Sequence, residues 1–217
     1  MRATKKPVVV LAGEDRNDRK SLRILLEAFV PEMRGRIVEI SDKVRLRQAN
    51  GHTLDERVDA LANKVSARAA REHADVACVF VHEDLDAVDG PEYQTTRKRV
   101  QAALDRRFHS AHYMLAVWEV EAWLLLFPEA LTAFNRSWKI GNKYRNKDTG
   151  LLADPKALLA NETNSGPRSY RESDAPEILA KAIALGCHLH TSGSNRSWSR
   201  AVQDADQCGS SHLVKKK

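Results

Sequence analysis

Apolar and polar positions along the chain sort into two recurring patterns. Short, continuous apolar runs suit strands buried on both faces. They alternate with segments whose apolar residues recur every three or four positions, the spacing of a helix with one buried face. The runs are Lys6–Ala12, Ile37–Ile40, His73–Val81 and Tyr113–Val117. Between them, Leu22, Leu25, Leu26 and Phe29 place a helix from Asp18 to about Val30, stopped by Pro31, with Asp15, Asn17 and Asp18 as candidate caps. Val58, Leu61, Ala62 and Val65 place a second, capped by Thr53 and reaching Arg71. A third spans Tyr93 to Arg107 after Gly90-Pro91. The β-α-β order predicts parallel strands joined by right-handed crossovers. The expected fold is α/β: an open, mainly parallel four-stranded sheet flanked by helices.

Beyond residue 135 the texture changes. Short helices are expected from Asp154-Pro155-Lys156 to Leu159, from Glu177 to Leu185 with Pro176 in the first turn, and from Ser197 to Gln207. Polar segments such as Asn164-Ser165-Gly166-Pro167 separate them. Residues 1–134 therefore read as the α/β core and residues 135–217 as a C-terminal helical cap packed on it.

Three of the apolar runs end in acid. Glu14 and Asp15 follow the first, Glu83, Asp84 and Asp86 the third, and Glu119 and Glu121 the fourth. In a parallel sheet all carboxyl ends lie on one edge, so these residues can converge on one crevice although far apart in sequence. Carboxylates gathered that closely repel unless a cation holds them, and oxygen-only donors suit Mg²⁺ or Mn²⁺ better than zinc. The expected ligands are Glu14, Asp84, Asp86, Glu119 and Glu121. Asp84 and Asp86 share the ion if the chain stays extended between them. His82, beside the cluster, reads as a partly buried structural histidine.

Composition narrows the functional classes. No window approaches the length of a membrane span, and the first residues lack the apolar core of a signal peptide, so a cytoplasmic protein without membrane contact is expected. Three cysteines without CxxC spacing support neither a disulfide framework nor a zinc ribbon, and Cys78 reads as a small core hydrophobe. A net charge of +6 favours polyanionic partners. Basic residues cluster at 43–47, 97–107 and 139–147, and a Lys215-Lys216-Lys217 tail follows.

Taken together, Leu11-Ala12-Gly13-Glu14, Asp84-Leu85-Asp86, Trp118-Glu119-Val120-Glu121-Ala122-Trp123-Leu124-Leu125, Asp154-Pro155-Lys156, Tyr170-Arg171 and Ser197-Trp198 resemble the motifs of a Toprim-like family of bacterial proteins linked to phage defence and mobile elements. That family is related to the Toprim domains of overcoming-lysogenization-type nucleases. The resemblance implies Mg²⁺- or Mn²⁺-dependent phosphodiester cleavage, with Glu14, Asp84 and Asp86 catalytic. Lys156, Arg171 and Arg196 are then candidates for phosphate or substrate contacts. In one respect the chain departs from the pattern: the family's Glu-Gly after the first strand reads Ala12-Gly13 here. Glu14 must then supply the acid from two positions further on, or the site binds without cutting.

Other readings stay open. A metal-dependent nucleic-acid-binding module, or a subunit of a defence complex, needs the same acids without turnover. A response-regulator receiver also begins with a strand followed by an acidic pair, but it calls for a single phosphoacceptor Asp and a lysine after a fifth strand. The expected partner is nucleic acid, DNA or RNA, with a second copy of the chain (a homodimer) or a partner ATPase as further candidates.

Overall fold

The computed structural model describes residues 7–162 and 166–213, so Lys6, the turn residues Asn164 and Ser165 and the lysine tail lie outside the described residues. Four strands, β1 (Val8–Ala12), β2 (Ile37–Glu39), β3 (Val76–Asp84) and β4 (Ala111–Ala116), form one sheet in the order β2-β1-β3-β4. Every neighbouring pair is parallel. Helices α1 (Arg16–Phe29), α2 (Gly51–Arg71) and α3 (Pro91–Arg107) connect successive strands. After β4 come α4 (Val120–Leu124), α5 (Pro128–Phe134), α6 (Pro155–Ala157), α7 (Ala175–Ala184) and α8 (Arg196–Cys208).

Strand alternation divides the core between the two faces of the sheet. Val9, Leu11, Cys78 and Phe80 face one side, under Leu22, Leu25 and Leu26 of α1, Leu179 of α7 and Ala205 of α8. Val10, Val79, Val81 and Tyr113 face the other, under Val58, Leu61 and Val65 of α2 and Val100 and Leu104 of α3. The segment after residue 134 therefore joins the core under β1 and β3 and does not build one of its own. Trp123 is fully buried and packs α4 onto the sheet, donating its indole Nε1–H to Ser197 Oγ at 2.8 Å.

Three local expectations are corrected. β3 does not stop at Val81 but runs through His82 and Glu83 to Asp84, pairing with Met114, Leu115 and Ala116 of β4. A parallel ladder is a backbone matter and continues past polar side chains when the neighbouring strand is there to meet it. The second helix begins at Gly51 after Asn50, two residues before Thr53. Cys78 is more than a core hydrophobe: it is bonded to Cys208 across 130 positions. Spacing in sequence could not reveal that pair, because only the packing of α8 against β3 brings the two sulfurs together. Of the three cap candidates for α1, Asp15 serves, accepting from the Asp18 N–H at 2.9 Å.

Candidate active site at the carboxyl edge of the sheet

From β1 the chain crosses to β2 on one side, and on returning it lays β3 on the other. The topological switch point thus falls between β1 and β3, where open α/β sheets hold their ligands. Gly13 lets the chain turn there in close quarters. A side chain at that position would place its Cβ 3.2 Å from Arg19 Cγ and 3.7 Å from His82 Cβ. Just beyond this turn, Glu14, Asp15 and Asp18 from the start of α1, Asp84 from the end of β3, and Glu119 and Glu121 around the start of α4 line one cleft of about 110 Å³. Lys43, Lys156 and Glu172 complete its rim.

Of the expected metal ligands, four share this cleft. Glu14 lines it, with its carboxylate 3.9 Å from Lys43 Nζ. Asp84 lies beneath, and its Oδ1 is buried without a hydrogen-bond partner. His82 is fully buried below the cleft floor, and neither ring nitrogen has a hydrogen-bond partner. Its Nε2 is 3.7 Å from Asp84 Oδ1 and its Nδ1 is 4.0 Å from Asp18 Oδ2, both beyond hydrogen-bonding length. Leaving buried polar atoms without partners is costly, so the three at this sheet end make it the candidate place for a bound group. Glu119 accepts an ion pair from Lys156 at 2.9 Å, and Lys156 reaches Glu172 at 2.8 Å on its other side. Lys156 thus stands in the cleft.

The remaining candidates are elsewhere. Asp86 takes a left-handed backbone conformation, φ 56°, as does Trp118, φ 58°. The two loops are clamped together by Asp86 N–H to Trp118 O at 3.0 Å and Trp118 N–H to Ala87 O at 2.9 Å. The chain is therefore not extended from Asp84 to Asp86, and Asp86 turns outward to Arg47 at 2.5 Å. Glu83 points to the opposite face, as its place one residue before Asp84 in a strand demands. There it is a buried hub that accepts from the Leu46 and Arg47 N–H groups and from the Tyr113 hydroxyl, each at 2.9 Å or slightly more. Its work is to tie the loop 41–50 to the sheet. Arg171 is exposed and outside the cleft, and Arg196 pairs with Asp89 at 3.2 Å on the flank of the sheet.

Two contributors went unforeseen. Asp18, read from sequence only as a cap, projects into the cleft from the first turn of α1. Tyr170 closes the other side, donating its hydroxyl to Glu121 Oε1 at 2.7 Å. No periodicity marks Tyr170, because it arrives from an irregular segment.

Repulsion and burial set the electrostatics. Burial, then the charges of Asp15, Glu121 and Glu14, push Asp18 up to about 7. Burial, then Glu119, push Glu121 up to about 7 although Tyr170 hydrogen-bonds it. Burial chiefly holds Asp84 well above the usual carboxylate range, and burial lowers His82 to about 4. An acid whose native pKa exceeds its unfolded value keeps a proton that the unfolded chain has lost, so its contribution to stability declines as pH rises between the two. His82 works in the opposite sense, costing stability as pH falls below its unfolded value near 6.5. Above that pH only the carboxylates act. Thermal melts in EDTA should therefore show Tm falling from pH 6.5 to pH 8, and Mn²⁺ should raise Tm more at pH 8 than at pH 5.5. A Tm in EDTA that is flat or rising over that interval contradicts this account.

Among the described residues no three His, Cys, Asp or Glu side chains stand close enough to hold a metal ion as they are placed. The donor chemistry nonetheless fits a hard cation: an all-oxygen set of carboxylates around the unpartnered Asp84 Oδ1. No helix of the described residues is long and apolar enough to cross a membrane. The sheet has four strands among the described residues, without the fifth of a receiver. Comparison with family models, with curated proteins and with solved structures finds no match for this chain.

Proposed function

We propose that this cleft is the active site of a Toprim-like, Mg²⁺- or Mn²⁺-dependent phosphodiesterase acting on nucleic acid. One observation carries the reading. Carboxylates from three strand ends meet at the topological switch point over a buried Asp84 oxygen and a buried His82 that have no partner within the protein. Glu14, Asp84, Glu119 and Glu121 would hold the ion, with Asp18 added to the set. Asp86 stays with Arg47 unless the loop rearranges. When bound, a divalent ion lowers the pKa of water and stabilises charge on a phosphoryl oxygen.

The chain's own residues supply the rest. Glu14, at the mouth of the cleft and only partly buried, is placed to take a proton from an attacking water. Lys156, held between Glu119 and Glu172, offers a positive charge where a phosphate would approach. Tyr170 fixes the orientation of Glu121 from the buried side. His82, neutral at working pH, lies beneath Asp84 and Asp18 with its ring nitrogens within 4.0 Å of both.

The test is direct. Purified protein is incubated with end-labelled DNA and RNA in Mg²⁺, in Mn²⁺ and in EDTA. Metal-dependent cleavage supports the reading. Nucleic acid retained intact in both metals would favour the binding module, and no interaction with either polymer would defeat both.

A further inference from the structure

We infer that the groove between α2 and the loop 41–47 is a binding track for the phosphodiester backbone of a nucleic-acid strand, leading it into the acidic cleft. The inference rests on the phosphodiesterase reading for its destination but on different residues for its content. Three cavities are linked in a row by shared side chains. One, of about 170 Å³, runs beside the C-terminal half of α2 and is lined by Lys64, Arg68 and Arg71. The next, of about 240 Å³, shares Lys64 and adds Arg57, Arg45 and Lys43. The acidic cleft comes third and shares Lys43.

Helical spacing explains the alignment. Arg57, Lys64, Arg68 and Arg71 lie seven, eleven and fourteen positions apart, which returns each to within about 40° of the first on a helix of 3.6 residues per turn. They form a stripe about 21 Å long by the 1.5 Å rise per residue. Apolar Leu61 and Val65 beside the stripe are buried against the sheet, so the cations sit at the edge of the buried face and not on the far, solvated one. The loop 41–47, pinned to the sheet by Glu83 through the Leu46 and Arg47 N–H groups, forms the opposite wall.

Charge identifies the occupant. Along the two outer cavities six cationic side chains face two carboxylates, Glu39 and Asp42. Glu39 is already taken by Arg19 and Arg23, and Asp42 by Lys64. Arg68 pairs with Glu72. Arg57 donates to the Arg45 carbonyl, which orders the loop without neutralising either guanidinium. Among the described residues no carboxylate pairs with Arg45, Arg57 or Arg71, and all three are exposed. By contrast, the basic residues of α3 are mostly spent: Arg97 on Asp204, Arg106 on Asp55 and Arg107 on Asp59. A row of six cations in a walled groove, three of them without a carboxylate partner among the described residues, matches a linear row of phosphates, whose binding releases counterions.

The experiment measures binding without cleavage. A fluorescein-labelled 20-nucleotide single strand is titrated by anisotropy in EDTA, with the native chain, with Arg45→Glu/Arg57→Glu/Arg71→Glu, and with a control carrying the same charge change outside the groove, Arg136→Glu/Lys139→Glu/Lys147→Glu. The groove variant should bind at least about tenfold more weakly, with a shallower dependence of log Kd on log salt, and the control should shift far less. Because Arg57 supports the loop, an Arg→Gln version of the same triple, checked for native Tm, must show the same direction. Equal losses in groove and control variants, or unchanged binding in the Gln triple, overturn the track. Binding that behaves as expected, followed by no cleavage when metal is added, would leave the track standing and remove the phosphodiesterase reading.

Discussion

Replacing Asp84 with asparagine is expected to abolish metal-dependent cleavage, on the order of a thousandfold or more, while leaving Tm at pH 8 unchanged or higher. The two halves of this result have one cause. Asp84 is partly buried at the end of β3, its Oδ1 is enclosed and accepts no hydrogen bond, and burial together with Asp18, Glu121 and Glu14 opposes its ionisation. A carboxyl whose ionisation is opposed this strongly contributes to binding and chemistry and not to folding at pH 8, so its replacement removes that cost together with the oxygen that a cation would need. A Tm lowered by several degrees would instead make Asp84 a structural residue. Retained cleavage in Asp84→Asn would remove it from the site altogether. The control is Asp86→Asn, which breaks the ion pair with Arg47 at the surface and should cost far less activity.

The second large effect concerns stability. Cys208→Ala should lower the unfolding free energy by about 4–5 kcal/mol, because the Cys78–Cys208 bond closes a loop 130 positions long and so restricts the unfolded chain strongly. For a chain of this size that corresponds to a fall in Tm on the order of 10–15 °C. Both cysteines are fully buried, so a mild reductant should leave the native protein untouched and act only once it unfolds. Mass spectrometry of the unfolded, alkylated chain reads the bond itself: one reactive thiol, Cys187, before reduction and three after. Three thiols before reduction, or a Cys208→Ala variant that melts with the native protein, would rule the stabilising bridge out. Bonds of this kind are uncommon in reducing compartments, which makes the same measurement on protein taken from its native cell a reading of where the chain resides.

These two residues illustrate different degrees of legibility. Asp84 could be found from the chain alone, because a continuous apolar run ending in acid describes a buried strand and its ligand end without reference to anything distant. The same reasoning recovered Glu14, Glu119 and Glu121, and the all-parallel sheet on which their convergence depends. It failed at Asp86 for a local reason. Two left-handed residues, Asp86 and Trp118, are held by hydrogen bonds between loops thirty residues apart, and this turns the second carboxylate of Asp-Leu-Asp away. It failed at Glu83 because the strand proved three residues longer than the apolar run, and strand parity then assigned Glu83 to the other face.

Periodic apolar spacing was enough to dictate the strands, the three long helices and the edge of the sheet where acids collect, since burying those residues leaves few alternatives. What depended on the tertiary structure were the pairings of groups without periodicity. Asp18 turned inward with His82, Tyr170 met Glu121 from an irregular segment, Cys208 reached Cys78, and the cations of α2 were walled into a groove. Each of these arises where distant segments are brought together by packing on one face or the other of the sheet, and such meetings leave no regular trace along a single chain.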